Sequence, residues 1–231
     1  MARRTRQLAF DLRERARWGG RRAGAGRKRG PDPKSAHRSR ADLASRFPCH
    51  VTLKVKRGLP SLRSGRLVRE LERSFAAAFD RGRFRLVHYS IQNDHLHAIV
   101  EATSQHDLAC GMKSIGSRLA RAVNRVFRLR GTVLADRYHL HILRTPREVR
   151  NALAYCLLNA RRHLAKMRRA LPQTARIDPA SSGLWFSGWN RRFQPPSSLH
   201  PQPIAPPHTW LLRIGWRRHG LLDPAEVPGL A

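Results

Sequence analysis

The sequence predicts an α+β fold: a ferredoxin-like, antiparallel four-stranded sheet with helices on one face. Between residues 47 and 168, strand and helix patterns follow one another in the order β-α-β-β-α-β-α. The tight Asn93-Asp94 connection between the second and third strands is typical of a hairpin. Helices occupy the two long connections, and the usual strand order of this arrangement makes the third strand central.

The first half of this segment contains three predicted strands and one helix. Residues 49–56, CHVTLKVK, alternate polar and apolar side chains as a half-buried strand does. Apolar residues within 67–79 then recur at helical spacing, with Gly82 as the predicted stop. Residues 83–92, RFRLVHYSIQ, form the second predicted strand, and residues 93–101, NDHLHAIVE, contain the turn and the third.

The second half begins with a long predicted helix, from about residue 104 to residue 128. Its apolar residues form a stripe at helical spacing and its basic residues a separate side, and Gly131 is the predicted end. Residues 137–144, RYHLHILR, then alternate as a fourth strand.

The last predicted helix has a well-marked start. Thr145 is a favourable N-cap, Pro146 suits the first helical position, and Glu148 follows three residues after the cap. A single apolar stripe then runs through residues 149–164 at three- and four-residue steps.

Charge and composition narrow the classes of partner. The chain has 231 residues, with 46 Lys and Arg against 15 Asp and Glu, a formal net charge of +31. Such a field favours a polyanion, most simply a nucleic acid. The sequence contains no long apolar run and no signal-peptide pattern, so we expect a cytoplasmic, nucleoid-associated protein. Its three cysteines form no C-x-x-C pair, which argues against a disulfide framework or a zinc ribbon.

Composition also divides the chain into three parts. Residues 1–46 are predicted to be a basic, disordered arm, because they are rich in arginine and poor in apolar residues. Residues 47–168 contain the patterned domain. Residues 169–231 are rich in Pro and Trp and are predicted to be an irregular extension that lies over that domain.

Two histidines one residue apart, His95 and His97, are the first candidate site. Alternate residues of a strand share a face, so both imidazoles point the same way, together with Ile99 and Glu101. They can converge on a metal ion, or they can be two polar side chains at a surface. A second pair, His139 and His141, has the same spacing and offers an alternative metal pair, or a phosphate contact at an edge strand.

Tyr155 is the second candidate. At 100° per residue it falls outside the apolar stripe of the last helix and clusters with Asn159 and Arg162. A tyrosine on the flank of the stripe that half-covers the core is the simpler alternative.

These features together resemble a known family. The segments NDHLHAIVE, GTVLADRYH and YCLLNARRH, in this order and on these elements, are similar to the single-tyrosine HUH transposases with an IS200-like domain, most closely to the REP-associated tyrosine transposases. The resemblance covers residues 47–168, about half of the chain. It implies a metal-dependent single-strand DNA endonuclease and strand transferase that acts on hairpin-containing DNA through a 5′-phosphotyrosine intermediate.

The resemblance also implies roles for particular residues. Tyr155 would be the nucleophile, and His95, His97 and Asn159 would bind a divalent metal, magnesium or manganese. A covalent intermediate suits this chemistry because it keeps the energy of the cleaved bond for rejoining without ATP. A phenol, with a reference pKa of about 10, needs help to attack at neutral pH.

The remaining expectations concern DNA. The basic residues that could follow a DNA backbone are Lys113, Arg118, Arg121, Arg125, Arg161 and Arg162, although a charged helix face is often simply solvated. Aromatic stacking of bases is possible at Trp185, Phe186 and Trp189. The active site is built either within one chain or across a homodimer. The alternative function is a domesticated protein of the same fold that binds hairpin DNA without cutting it.

Overall fold

The computed structural model describes residues 42–76, 82–167, 177–190 and 202–229. The predicted arm therefore lies outside the described residues except for its last five. The elements in chain order are β1 (Cys49–Lys54), α1 (Gly65–Ala76), β2 (Phe84–Ile91), β3 (His95–Ala102), α2 (Gln105–Phe127), β4 (His139–Ile142), α3 (Pro146–Leu157), α4 (Asn159–Lys166) and α5 (Trp210–Arg213), with 3₁₀ turns at Ser182–Trp185 and Gly215–His219. The predicted order of strands and helices is confirmed.

The four strands form an antiparallel sheet in the order β2-β3-β1-β4. The histidine strand, β3, is therefore central, as predicted. The hairpin from β2 to β3 is confirmed, and the N–H of Gln92 donates to the carbonyl of His95 across it (2.8 Å). In the β1–β3 register, Thr52 pairs with His97 and Lys54 with His95.

The two faces of the sheet pack against different partners. Leu96, Ala98 and Val100 of β3 belong to a core that they share with α1 and α2. Ile99 of β3 and Val87 of β2 belong to a second core with α3 and the C-terminal residues. Two helices thus lie on one face, as expected for this architecture, and α3 lies on the face that carries the histidines.

The long helix α2 has its predicted bounds to within one residue, but its end is formed differently. Ser104 caps its start, accepting a hydrogen bond from the N–H of Asp107 (3.1 Å). Its last helical residue is Phe127, and Arg128 takes the left-handed conformation (φ 55°) with its N–H bonded to the carbonyl of Asn124. The prediction that Gly131 ends the helix was wrong, because a non-glycine residue supplies the positive φ.

The last predicted helix is two helices. Thr145 caps α3 as expected, accepting from the N–H of Glu148 (3.2 Å). The apolar stripe predicted one continuous helix, but Leu158 (φ −108°, ψ 16°) separates α3 from α4. The break places Asn159 at the first position of α4, where its side chain is buried.

The described C-terminal residues cover the α3 side of the molecule. Phe186, Trp189 and Trp216 are buried in the second core with α3. The carboxylate of Glu101, at the end of β3, accepts hydrogen bonds from the backbone N–H groups of residues 208 and 209 (2.8 and 2.7 Å). These contacts attach the extension to the sheet, while the proposed domain boundaries stay a prediction. In the described ranges, no helix combines the length and apolar composition that crossing a membrane requires.

Candidate active site

The structure brings the predicted histidine pair and the predicted tyrosine together. The rings of His97 and Tyr155 lie edge to face, with centroids 5.0 Å apart. His50 of β1 also contacts Tyr155, with centroids 5.7 Å apart. Because His97 lies on the central strand and Tyr155 on the helix packed over it, the contact joins residues that are distant in sequence. Tyr155 is half-buried, so its ring is held while part of it faces solvent.

The two strand histidines converge through the same ring atom. Nε2 of His95 lies 2.9 Å from Nε2 of His97. Nδ1 of His95 donates a hydrogen bond to the carboxylate of Asp94 (2.6 Å), which leaves its Nε2 as an acceptor. Nδ1 of His97 lies 3.1 Å from Oγ1 of Thr52 and 3.2 Å from Nε2 of His50.

These hydrogen bonds permit two positions for the ring hydrogen of His97, on Nε2 or on Nδ1. Without a cation, His97 donates from Nε2 to His95 and accepts from the Thr52 hydroxyl at Nδ1. If the hydrogen of His97 moves to Nδ1, where His50 or Thr52 can accept it, two Nε2 lone pairs face the same space. A divalent cation fits that second arrangement, because both imidazoles then present a lone pair to it.

Burial keeps His97 and His50 neutral. Desolvation, followed by the neighbouring His50, His95 and His163, lowers the pKa of His97 to about 3. Desolvation, followed by His141 and His139, lowers the pKa of His50 to about 4. At neutral pH both rings are therefore uncharged, which is the form that can bind a metal ion.

Asn159 is the third predicted ligand, and its environment is unusual. Its side chain is 1% exposed, and within the described part of the chain neither its Oδ1 nor its Nδ2 has a hydrogen-bond partner. A buried amide without hydrogen bonds destabilises the fold by roughly 1–3 kcal/mol. We therefore expect a bound group to supply the missing partner. Four residues to either side, Tyr155 contacts His97 and His163 lies 6.5 Å from His95 between ring centroids. Asn159 lies between these two contacts in the chain, at the break from α3 to α4.

Two imidazole nitrogens and one amide oxygen are suitable ligands for a divalent cation, but three protein ligands are few for such an ion. Within residues 42–76, 82–167, 177–190 and 202–229, no group of three or more His, Cys, Asp and Glu side chains is arranged to hold a metal. His50 does not complete such a group, because it faces Nδ1 of His97 and not the Nε2 atoms. A cation here would depend on Asn159 and on oxygen atoms of water or substrate.

A cleft of about 770 Å³ opens beside Tyr155. Arg162 holds its guanidinium 4.8 Å from the centre of the Tyr155 ring. Arg150 lines another part of the cleft, where both terminal nitrogens of its guanidinium pair with Glu226 (2.8 and 2.9 Å). The side chain beside the tyrosine is thus cationic, which suits a phosphate.

The competing pair, His139 and His141, lies on edge strand β4. Its residues pair with Thr52 and His50 of β1, so both histidine pairs project from one sheet face with β1 between them. His97 contacts Tyr155 directly, whereas His141 lines the cleft and His139 is exposed. The placement favours His95 and His97 as the metal pair and leaves a phosphate contact for His141.

The predicted DNA-binding residues do not share one surface. Lys113, Arg118, Arg121 and Arg125 belong to α2, on the sheet face opposite Tyr155. Arg118 donates to the carbonyl of Ser74 (2.8 Å) and Arg125 pairs with Glu70, so these two join α2 to α1. Arg161 is buried, and Arg162 is the predicted cation that reaches the site.

The prediction that Phe186 and Trp189 are available to stack on bases was wrong. Phe186 and Trp189 are 8% and 6% exposed, and Nε1 of Trp189 donates to the carbonyl of Gly183 (2.8 Å). They are part of the second core, because the Trp-rich extension packs its aromatic rings against α3. Trp185 is half-buried.

Sequence reasoning missed residues that support the pair. His50 and Thr52, on the neighbouring strand β1, contact Nδ1 of His97. His163, on α4, lies beside His95. The signal for His50 and Thr52 was their His-x-Thr spacing, which places both on one strand face. Asp94 was read as a turn residue, although a carboxylate next to a candidate ligand is a typical partner for it.

Residues 44–155, from just before β1 to Tyr155, match the model of the family described as "Transposase IS200 like". No curated protein matches the chain.

Three solved structures illustrate the structural likeness. The REP-associated tyrosine transposase bound to a REP hairpin is 16% identical, with a TM-score of 0.44, over 55% of this chain and 74% of that one. A candidate transposase of Deinococcus radiodurans R1 is 15% identical, with a TM-score of 0.36, over 59% and 99%. A bacterial tRNA(His) guanylyltransferase-like protein in complex with GTP is 12% identical, with a TM-score of 0.38, over 58% and 74%.

Proposed function

We propose that this chain, whose residues 44–155 match the IS200-like transposase family model, is a metal-dependent single-strand DNA endonuclease and strand transferase. Tyr155 is its nucleophile. The observation that supports this most directly is the contact of Tyr155 with His97, whose Nε2 converges with that of His95 beside an arginine-lined cleft. The proposed partner is single-stranded or hairpin DNA, and the net charge of +31 is consistent with it.

The proposed reaction is a transesterification. The phenol of Tyr155 gives up its proton as its oxygen attacks the scissile phosphorus. The bond from phosphorus to the 3′ oxygen breaks, and that oxygen takes up a proton and leaves as a 3′-hydroxyl. The 5′ end stays on the enzyme as a phosphotyrosine. Attack by a 3′-hydroxyl on this ester reverses the step and rejoins a strand, with no external energy source.

The residues around Tyr155 have separate proposed tasks. His95, His97 and Asn159 would hold magnesium or manganese, which would polarise a non-bridging phosphate oxygen. Asp94 and Thr52 orient the two imidazoles through their Nδ1 atoms. Arg162, stacked over the Tyr155 ring, binds the phosphate and stabilises negative charge on the phenol oxygen.

The test is a covalent-adduct assay with end-labelled single-stranded DNA, including hairpins from sequences flanking the gene, with and without manganese. Tyr155→Phe is compared with Tyr138→Phe, a matched loss of one hydroxyl from a half-buried tyrosine of the first core. We expect a metal-dependent protein–DNA adduct from the wild type and from Tyr138→Phe, and none from Tyr155→Phe.

Two other results would change the assignment. Tight binding of hairpins without any adduct, across substrates and metals, would indicate the domesticated protein that does not cut. Cleavage that persists in Tyr155→Phe would indicate a metal-activated water as the nucleophile.

A further inference from the structure

A tryptophan stands exposed at the start of α5, away from Tyr155. Trp210 is 47% exposed. Its ring lies so close to Gly215 that a Cβ there would come within 2.6 Å of it, and the guanidinium of Arg218 lies 5.0 Å from the ring centre. The ring is therefore held in place while about half of the residue faces solvent. A fixed, exposed indole is a suitable platform for stacking.

Trp210 forms one wall of a cleft of about 510 Å³. This volume is in the usual range of ligand sites, about 300–1,000 Å³. Arg46, Arg85 and Thr103 line other parts of the cleft. The acidic residue in its wall, Glu101, is already bonded, since its two carboxylate oxygens accept the N–H groups of residues 208 and 209. Glu101 keeps its negative charge and stands opposite Arg85 in the β2–β3 register, so the cleft offers an aromatic ring, a hydroxyl and two guanidinium groups against one carboxylate.

The cleft and the candidate active site are connected by one strand. Glu101 and His97 are four residues apart on β3 and project from the same face of the sheet. At about 3.3 Å per residue, that is about 13 Å along the strand. Ile99, between them on the same face, is buried under α3 and the C-terminal residues, so a nucleic-acid strand at Tyr155 reaches the cleft around this packed layer and not along β3.

We propose that this cleft binds a nucleotide of the single-stranded DNA that flanks the cut, with the base stacked on Trp210 and the phosphate between Arg46 and Arg85. The choice of DNA as the ligand rests on the proposed function. Stacking on an aromatic ring accepts any base, so the cleft selects for a single-stranded flank and not for a sequence. Arg218, behind the ring, adds a positive charge close to the bound base.

The test measures binding and needs no cleavage. Labelled hairpins with and without single-stranded flanks are titrated with the full chain by fluorescence anisotropy, in the Tyr155→Phe background and without metal. We expect Trp210→Ala to weaken binding of the flanked hairpin about 5- to 150-fold, the effect of losing one stacked base. Binding of the hairpin without flanks should not change.

Two variants control for folding and for general loss of apolar surface. Trp210→Phe keeps an aromatic face and should retain most of the preference for the flank. Ile214→Ala removes a neighbouring exposed apolar side chain, 52% exposed, and should bind as the parent protein does.

Three results would overturn the proposal. The first is equal binding of the flanked hairpin by Trp210→Ala and Ile214→Ala, and the second is that Trp210→Ala loses equal affinity for flanked and unflanked hairpins. The third is a change in the solution mass of the DNA-free protein with Trp210→Ala, which would make the cleft a contact between two copies of the chain. Failure of the proposed function is separate. If the wild type forms no Tyr155 adduct but its flank preference depends on Trp210, the cleft stands and the cutting mechanism falls.

Discussion

Replacing Asp94 with Asn should weaken metal binding without touching a metal ligand. The Asp94 carboxylate accepts the Nδ1 hydrogen of His95 at 2.6 Å, and this hydrogen bond, more than the His95 and Lys54 charges, lowers the pKa of Asp94. An amide at this position is a weaker, neutral acceptor. It can also rotate its NH₂ group toward the ring and favour the tautomer whose Nε2 carries the hydrogen.

The expected size of the effect follows from exposure. Loss of such a supporting group typically lowers metal affinity 10- to 100-fold. The Asp94 side chain is 56% exposed, so water can replace part of the lost bond. We therefore expect a loss at the lower end, about tenfold.

The assay is a manganese titration of the DNA-free protein, with free Mn²⁺ measured by electron paramagnetic resonance. The manganese concentration that gives half-maximal adduct formation should rise by a similar factor. Lys54→Met is the matched control, because it removes the ion pair of Lys54 with Asp94 (3.8 Å) but leaves the bond to His95. Unchanged manganese affinity in Asp94→Asn, or an equal loss in Lys54→Met, would refute the assigned role of Asp94.

Two further predictions concern stability. Complete burial lowers the pKa of His88 to about 3 in the folded protein, so the unfolded chain takes up its proton first as the pH falls below about 6.5, and stability is lost from there down toward pH 3. This histidine alone should cost about 2 kcal/mol at pH 5 relative to pH 7; urea unfolding of the wild type and His88→Gln should show that difference, and an equal pH dependence in both would contradict it. Glu101→Ala should lower the free energy of unfolding by about 3 kcal/mol, because one buried and one part-buried backbone N–H group lose a charged acceptor. Glu70→Ala, which removes the ion pair with Arg125, should cost less than about 1 kcal/mol in the same urea assay, and similar losses in both variants would contradict the role of Glu101.

Much of the fold could be predicted because its signals are local. Alternation in residues 49–56 and 83–92 identifies strands, and Thr145, Pro146 and Glu148 identify the start of α3. The limits of that reasoning are also local. The apolar stripe continues across Leu158 although the helix does not, because a break of one residue barely changes the phase of a helical pattern.

The candidate site could be predicted in part. The spacing of His95 and His97 places both on one face, and helical geometry places Tyr155 outside the apolar stripe. Neither pattern says that the two features meet. Their contact depends on α3 packing over β3, which is a long-range arrangement.

The sequence by itself determined the order of elements, the faces of the strands and the excess of positive charge, since each depends on residues a few positions apart or on composition. Only the tertiary structure decided that His50 and Thr52 support His97 across a strand register, that Asn159 is buried without a hydrogen-bond partner among the described residues, and that Trp189 is in the core while Trp210 is in solvent. The physical reason is that sheet register and burial depend on which distant segments exclude water from one another. A periodic pattern shows that a residue faces a partner, and packing selects the partner.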